Sequence, residues 1–190
     1  QPRPDPALEL GRTPPPLPGA RPPAIGFDDD ADYLGPVAKR LLSSVFAVDA
    51  DVGRAATMDA FRDRTCVQLL ACRDLALVSV WNPTFLTLLL DWIGDRVDHL
   101  LGRLDARRRA EVSGAVRDGD WTAVWPRLTV LSCWADAAAA APAAELARRL
   151  PGVVLQPKGL LATEGFVSVP LVAAGGAVLS AHSHFVEFVD

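Results

Sequence analysis

The chain has 190 residues and is 50% hydrophobic, enough apolar material for one sizeable core or for part of a larger one. Its net charge of -4 and isoelectric point near 5.3 argue against nucleic acid as the main partner. The densest basic run, Arg107-Arg108-Arg109, is expected on the solvated face of a helix. No run of roughly 18 unbroken apolar residues is present, so no membrane span is expected.

The cysteines Cys66, Cys72 and Cys133 are an odd set without the spacing of a metal site. Each lies in an apolar stretch, which predicts reduced core thiols and a cytoplasmic protein. No secretory signal is seen, the first residue is Gln1, and the only methionine is Met58. We therefore expect an internal piece of a longer protein.

The first 24 residues hold nine of the sixteen prolines. Proline at this density excludes helices and paired strands, so residues 1–24 are predicted to be an extended lead-in to a folded part at 25–190. In the folded part, apolar residues recur with helical spacing in some stretches and run together or alternate in others. These patterns predict helices at 37–48, 55–71, 83–101, 106–116 and 143–150, and strands at 74–80, 128–134 and 153–155.

Asn82-Pro83 is a strong helix start, because asparagine caps helices and proline suits the first helical position. Residues 166–173 and 177–189 flank the Gly175-Gly176 turn and are predicted to form a β-hairpin. Strands that alternate with helices and then give way to a hairpin predict the fold class. It is α/β, a mostly parallel sheet flanked by helices with an added β-hairpin.

The most informative segment is Pro157-Lys158-Gly159-Leu160-Leu161-Ala162-Thr163-Glu164-Gly165. A buried apolar strand that runs into a hydroxyl, a carboxylate and a glycine would deliver a donor and an anion to the carboxyl edge of a sheet. Open α/β sheets bind their ligands at that edge. On this pattern alone, an ordinary boundary between a strand and a turn is the commoner explanation.

Other candidate sites are weaker. The sequence has no Walker A loop, no G-x-G-x-x-G and no G-x-S-x-G. His182 and His184 would share one face of a strand, but no further metal ligand has suitable spacing beside them. Glu187 lies between Phe185 and Phe188 and is expected to face solvent, the alternative being a buried carboxylate with a partner.

Taken in order, several segments resemble the middle of the auxin-responsive acyl-acid amido synthetases, a branch of the adenylate-forming enzymes, in the form of its bacterial members. The resemblance covers residues 25–190. The segments that carry it are Gly26–Asp30 with Tyr33–Gly35, Val80–Leu86, Trp125-Pro126 with residues 128–131, Leu160–Gly165, and Ser183–Phe188.

This resemblance implies part of the large N-terminal domain of an adenylate-forming enzyme and a two-step reaction. ATP and a small carboxylic acid form an acyl-adenylate and release pyrophosphate, and the acyl group then passes to an amine or amino acid. Thr163 would hydrogen-bond phosphate or carboxylate, and Glu164 would hold Mg²⁺. These two are the implied catalytic residues, and Gly165 and Phe185 would join them in binding the nucleotide, with Phe185 near its ring.

The chain also departs from the family. Plant members tend to carry Ser-Ser-Glu where this chain has Ala162-Thr163-Glu164, so plant-hormone substrates are not implied. The family's phosphate loop, ribose-binding segment and mobile C-terminal domain are absent from these residues, so the isolated chain is expected to be inactive. Two alternatives stay open: a non-catalytic binding or scaffold remnant, and an unrelated α/β domain in which Thr163-Glu164 is only a turn.

Overall fold

The computed structural model describes residues 45–162, 165–171, 174, 176–182 and 187. The predicted lead-in at 1–24 and most of the predicted helix at 37–48 lie outside these residues, and the described end of that helix, 45–48, is not helical. The described α-helices are α1 (Met58–Ala71), α2 (Pro83–Asp95), α3 (Val97–Leu101), α4 (Ala106–Asp118), α5 (Trp121–Val124) and α6 (Ala140–Arg149). Short 3-10 helices span Ala50–Arg54 and Ala137–Ala139, and the strands are β1 (Leu77–Ser79), β2 (Val130–Cys133), β3 (Val154–Pro157), β4 (Leu161–Ala162), β5 (Gly165–Phe166), β6 (Ser168–Leu171) and β7 (Gly176–Leu179).

Strands β1, β2 and β3 form a parallel sheet in that order, with Leu77, Val130 and Val154 in register. Both crossovers step in the same direction across the sheet, and right-handed crossovers of this kind place their helices on one face. Burial agrees: Leu131, pointing to one face, is 1% exposed, whereas Leu77 and Val154, pointing to the other, are 54% and 63% exposed. The predicted α/β fold with a parallel sheet is confirmed for the described residues.

The predicted cap at Asn82 is confirmed, and Thr57, which was predicted to lie inside the helix at 55–71, caps it instead. The Asn82 side chain accepts a hydrogen bond from the backbone N–H of Thr84 at 2.9 Å, and Thr57 accepts one from Ala60 at 3.1 Å. The prediction of a single helix at 83–101 is wrong in one respect, because the chain forms two helices there, α2 and α3, with a break at Arg96. Gly94, a weak helix former, lies just before the break.

Arg108 corrects the expectation that the whole basic run faces solvent. Arg107 and Arg109 are exposed, but Arg108 is 5% exposed. Arg108 shares the buried face of α4 with Val112 and Val116. This four-residue spacing predicts a buried position for Arg108, whereas the charge of its two neighbours suggested an exposed one.

The guanidinium of Arg108 ties three segments together. Its Nε donates to the carbonyl of Leu70 at 2.7 Å, and its Nη2 donates to the carbonyls of Val124 at 2.9 Å and Cys72 at 3.3 Å. Burial lowers the pKa of Arg108. Arg108 thus joins α4 to the end of α1 and to α5.

Asp63 on α1 forms a second polar link within the helix layer. Its carboxylate accepts hydrogen bonds from Trp92 Nε1 at 2.8 Å and from His99 Nε2 at 3.0 Å. Arg96 and Arg103 each place a guanidinium nitrogen 3.9 Å from it. Desolvation by itself raises the pKa of Asp63. The hydrogen bonds from Trp92 and His99 and the charges of His99 and Arg96 together lower the pKa by more than desolvation raises it, so it lies below its ordinary 3.8.

Replacing Asp63 with asparagine should lower the free energy of unfolding by about 1.5–3 kcal/mol at neutral pH, the usual size of a hydrogen bond to a charged group. A carboxylate with a lowered folded-state pKa contributes stability above its unfolded pKa, and this is lost as pH falls through the lower folded value. Urea unfolding from pH 6 down to about pH 2 should therefore show a steeper acid loss in the parent than in Asp63→Asn. Parallel curves would contradict this, and the more exposed Asp59→Asn is the matched control.

The predicted β-hairpin is confirmed as β6 and β7, which pair antiparallel from Ser168 with Leu179 to Leu171 with Gly176. The second strand is shorter than predicted. It ends at Leu179, and the described His182 lies in a turn, so the predicted strand does not reach His182. His184 lies outside the described residues, and Glu187 is exposed as expected.

Candidate functional site

The carboxyl ends of the three parallel strands bring Trp81, Trp134 and Lys158 into one row. The backbone N–H of Trp134 donates to the carbonyl of Trp81 at 2.8 Å, and that of Lys158 donates to the carbonyl of Cys133 at 2.8 Å. The Lys158 bond continues the register of β2 and β3 one residue beyond Pro157, and the Trp134 bond joins Trp134 to Trp81 just past the end of β1. We call this row the carboxyl edge.

Lys158 supplies a positive charge at the carboxyl edge. Its Nζ donates a hydrogen bond to Ser79 Oγ at 2.8 Å and lies 4.5 Å from the centroid of the Trp81 ring. Among the described residues, no carboxylate forms an ion pair with it. The side chain is therefore positioned by a hydroxyl and an aromatic face, and its charge is not neutralised by a described acid.

Trp134 supplies an indole N–H whose hydrogen-bonding capacity is unused within the described part of the chain. Its Nε1 is buried and has no hydrogen-bond partner there. The Trp134 ring packs against Trp81 with 5.7 Å between centroids. Buried polar groups almost always find a partner, and this atom has none among the described residues.

A cavity of about 830 Å³, which we call the edge cavity, lies over the carboxyl edge. The first turns of α2 and α6 border it, and the positive ends of helix dipoles favour an anion there. Its lining is mostly apolar and includes Ala137, Ala138, Pro142, Leu160 and Leu179. The polar residues that line it are Asn82, Thr84, Trp134, Asp136, Lys158 and Ser168.

A second, smaller cavity of about 360 Å³ lies beside the first. Lys158, Leu160 and Ser168 border both. Leu161 of β4 and Phe166 of β5 line the smaller one. Since β4 and β5 flank the Thr163-Glu164 pair in the chain, the predicted motif is connected directly to residues that line this smaller cavity.

Of the predicted site residues, Thr163, Glu164 and Phe185 lie outside the described residues. Gly165 is described, begins β5 and pairs with Ala162 across a short antiparallel ladder. The roles of these four residues stay predictions.

The expectation that a buried strand of the main sheet carries the motif is wrong. Leu160 and Leu161 are 54% and 41% exposed, and β4 pairs with β5, outside the parallel sheet. The chain leaves the sheet at Gly159, where an added Cβ would lie 1.9 Å from the carbonyl oxygen of Ser168. Only glycine permits this close approach of two backbones, which the hydrogen bond from Leu160 N to Ser168 Oγ at 2.9 Å reinforces.

The cysteines do not supply a nucleophile to this site. All three are free, and Cys66 and Cys133 are buried. Burial raises the pKa of Cys66 to about 12, and burial also raises the pKa of Cys133 although the Lys158 charge opposes it. Thiols held neutral in this way are structural, in agreement with the predicted core role.

A metal site is not found within the described residues, where no group of three histidine, cysteine, aspartate or glutamate side chains could hold an ion. Glu164, the predicted Mg²⁺ ligand, lies outside them. The described helices include none with the length and apolarity that a membrane crossing requires.

Sequence reasoning missed Lys158 and Trp134 as site residues. One signal was available: only two of the 19 basic residues are lysines, Lys39 and Lys158, and the second lies three residues after the strand predicted at 153–155. The side-by-side placement of the strand ends was not available, because it depends on the register between strands far apart in the chain. No protein-family model matches the sequence, and a comparison with curated proteins gives no significant match.

Proposed function

We propose that this chain is the central part of an ATP-dependent acyl-acid amido synthetase and that the edge cavity takes the organic acid. The observation that carries the proposal is the cavity of about 830 Å³ at the carboxyl edge, with Lys158 in a mostly apolar lining. Small-molecule sites are typically about 300–1,000 Å³, largely apolar, with a few placed polar groups. Ligands of open α/β sheets bind at this edge.

The charges of the cavity support an acid and an amine as substrates. Lys158 matches a carboxylate, and the exposed Asp136 at the rim matches a cationic amine as it arrives. Among the described lining residues, Lys158 is the sole cation and Asp136 the sole acid.

The proposed chemistry has two balanced steps. A carboxylate oxygen of the acid attacks the α-phosphorus of ATP, and pyrophosphate leaves with the bond electrons. The amine nitrogen then attacks the acyl carbon, loses a proton, and AMP leaves. Thr163 would donate a hydrogen bond to the developing negative charge, and Mg²⁺, when held by Glu164, would offset charge on the phosphates.

Incubating the full-length protein with ATP, Mg²⁺, a panel of aryl and alkyl carboxylic acids and the common amino acids tests this proposal. Mass spectrometry should detect an amide for at least one pair, with AMP and pyrophosphate formed in equal amounts. Absence of AMP with every pair would contradict the proposal and favour the non-catalytic remnant. ATP hydrolysis that proceeds equally with and without a carboxylic acid would also contradict the proposal.

A further inference from the structure

We propose that Lys158 and the indole N–H of Trp134 form a subsite for the carboxylate group of an organic acid whose apolar body fills the edge cavity. The identity of the acid as a substrate rests on the proposed function. The subsite itself rests on contacts within the described residues.

Lys158 has hydrogen-bonding capacity left for a ligand. An ammonium group carries three N–H donors, and Ser79 Oγ accepts one of them at 2.8 Å. The Trp81 ring, 4.5 Å from Nζ, attracts the charge but accepts no conventional hydrogen bond. With no described acid paired to it, the group is a preformed cation that faces two cavities.

Trp134 supplies the second donor. Its buried Nε1 has no partner among the described residues, and such a group is costly to leave unsatisfied. Trp134 and Lys158 follow neighbouring strands in the same register and line the same cavity. A carboxylate has two oxygens, so one can accept from the ammonium and the other from the indole.

The lining favours a carboxylate over a phosphate. Phosphates are usually held by arginine forks or by several backbone N–H groups of a glycine-rich loop. Here the described lining offers one ammonium, and the rim carries Asp136, which repels a group of higher charge. The remaining walls are small and apolar, with Ala137, Ala138 and Ala139 leaving room for a hydrocarbon or aromatic body.

Labelling of the lysines permits a direct test on the full-length protein, in which Lys39 and Lys158 are the lysines of these 190 residues. Reductive methylation with ¹³C-formaldehyde labels its lysines, and a Lys158→Arg variant assigns the Lys158 resonance. Benzoate, cinnamate and octanoate are titrated, each against its neutral amide. The carboxylates should shift the Lys158 resonance and leave that of Lys39 unchanged, and the amides should shift neither. No shift with any carboxylate, or a Lys158 shift with ATP alone, would overturn the carboxylate subsite.

Affinity measurements on variants complete the test. Calorimetry should show carboxylate binding weakened at least about tenfold in Lys158→Met and severalfold in Trp134→Phe, which keeps an aromatic ring but removes the N–H. Arg148→Met, which removes an exposed cation of α6, should bind as the parent does. Equal affinity in the parent and Lys158→Met would overturn the proposal. If Lys158→Met does not fold, carboxylate affinity is measured on Trp134→Phe and Ser79→Ala instead. Affinity equal to that of the parent in both variants would overturn the proposal.

Two outcomes distinguish a wrong carboxylate subsite from a wrong synthetase assignment. Carboxylate binding that needs Lys158 but never leads to AMP formation would remove the synthetase and keep the subsite. Acid-dependent AMP formation that persists at the parent rate and KM in Lys158→Met would keep the synthetase and remove the subsite.

Discussion

Replacing Glu164 with alanine should lower acid-dependent pyrophosphate release by about two or more orders of magnitude while leaving the melting temperature nearly unchanged. Glu164 is the predicted ligand of Mg²⁺, and loss of that carboxylate leaves charge on the reacting phosphates without compensation. Stability should change little, because Glu164 follows β4 and precedes β5 in the chain. Leu161 of β4 and Phe166 of β5 are 41% and 63% exposed.

The matched control is Glu145→Ala. Glu145 lies on α6 and pairs on the surface with Arg148 and Arg149, so its removal should cost less than about 1 kcal/mol and leave pyrophosphate release as in the parent. Release near the parent rate in Glu164→Ala would remove Glu164 from the mechanism. A large fall in melting temperature would show a structural role instead.

Replacing Arg108 with methionine should lower the free energy of unfolding by about 2–4 kcal/mol. The change keeps the apolar stem and removes the donors to the carbonyls of Leu70, Cys72 and Val124. These acceptors lie where α1 ends and α5 ends, so they have few other partners. A buried acceptor left unsatisfied costs about 1–3 kcal/mol.

Arg107→Met is the control for Arg108, because Arg107 is its neighbour in sequence and its side chain is 78% exposed. This change should alter stability by less than about 0.5 kcal/mol. Urea unfolding should show a lower midpoint for Arg108→Met at an unchanged slope. Equal midpoints for the two variants would contradict the assigned role of Arg108.

The sequence predicted the local elements well because their signals are local. Asn82 caps the helix that it was predicted to start, and the apolar runs around Val78, Leu131 and Leu155 form the parallel sheet. These features depend on hydrogen bonds and side-chain periodicity within a few residues.

Features that depend on long-range contacts were missed. The burial of Arg108 requires carbonyls 16 and 38 residues away, and the break at Arg96 accompanies a contact of that side chain with Asp63 on α1. The departure of the chain at Gly159 depends on a close approach to Ser168. The four-residue spacing of Arg108 with Val112 and Val116 indicated a shared buried face, but spacing along the chain does not indicate which distant partners are contacted.

The part of the segment 157–165 that lines the two cavities is residues 157–161, whereas Thr163 and Glu164 lie outside the described residues, so the predicted site stays a prediction. The row of Trp81, Trp134 and Lys158 was not predicted, because it joins three strands separated by about 25 to 50 residues.

Exchange of labelled pyrophosphate into ATP, measured on the full-length protein with and without a carboxylic acid, tests the central claim most directly. Acid activation predicts exchange that needs an acid, is absent with the corresponding amide, and falls sharply in Lys158→Met. If no acid in a broad panel promotes exchange above the rate without acid, activation of a carboxylate at this edge of the sheet is contradicted.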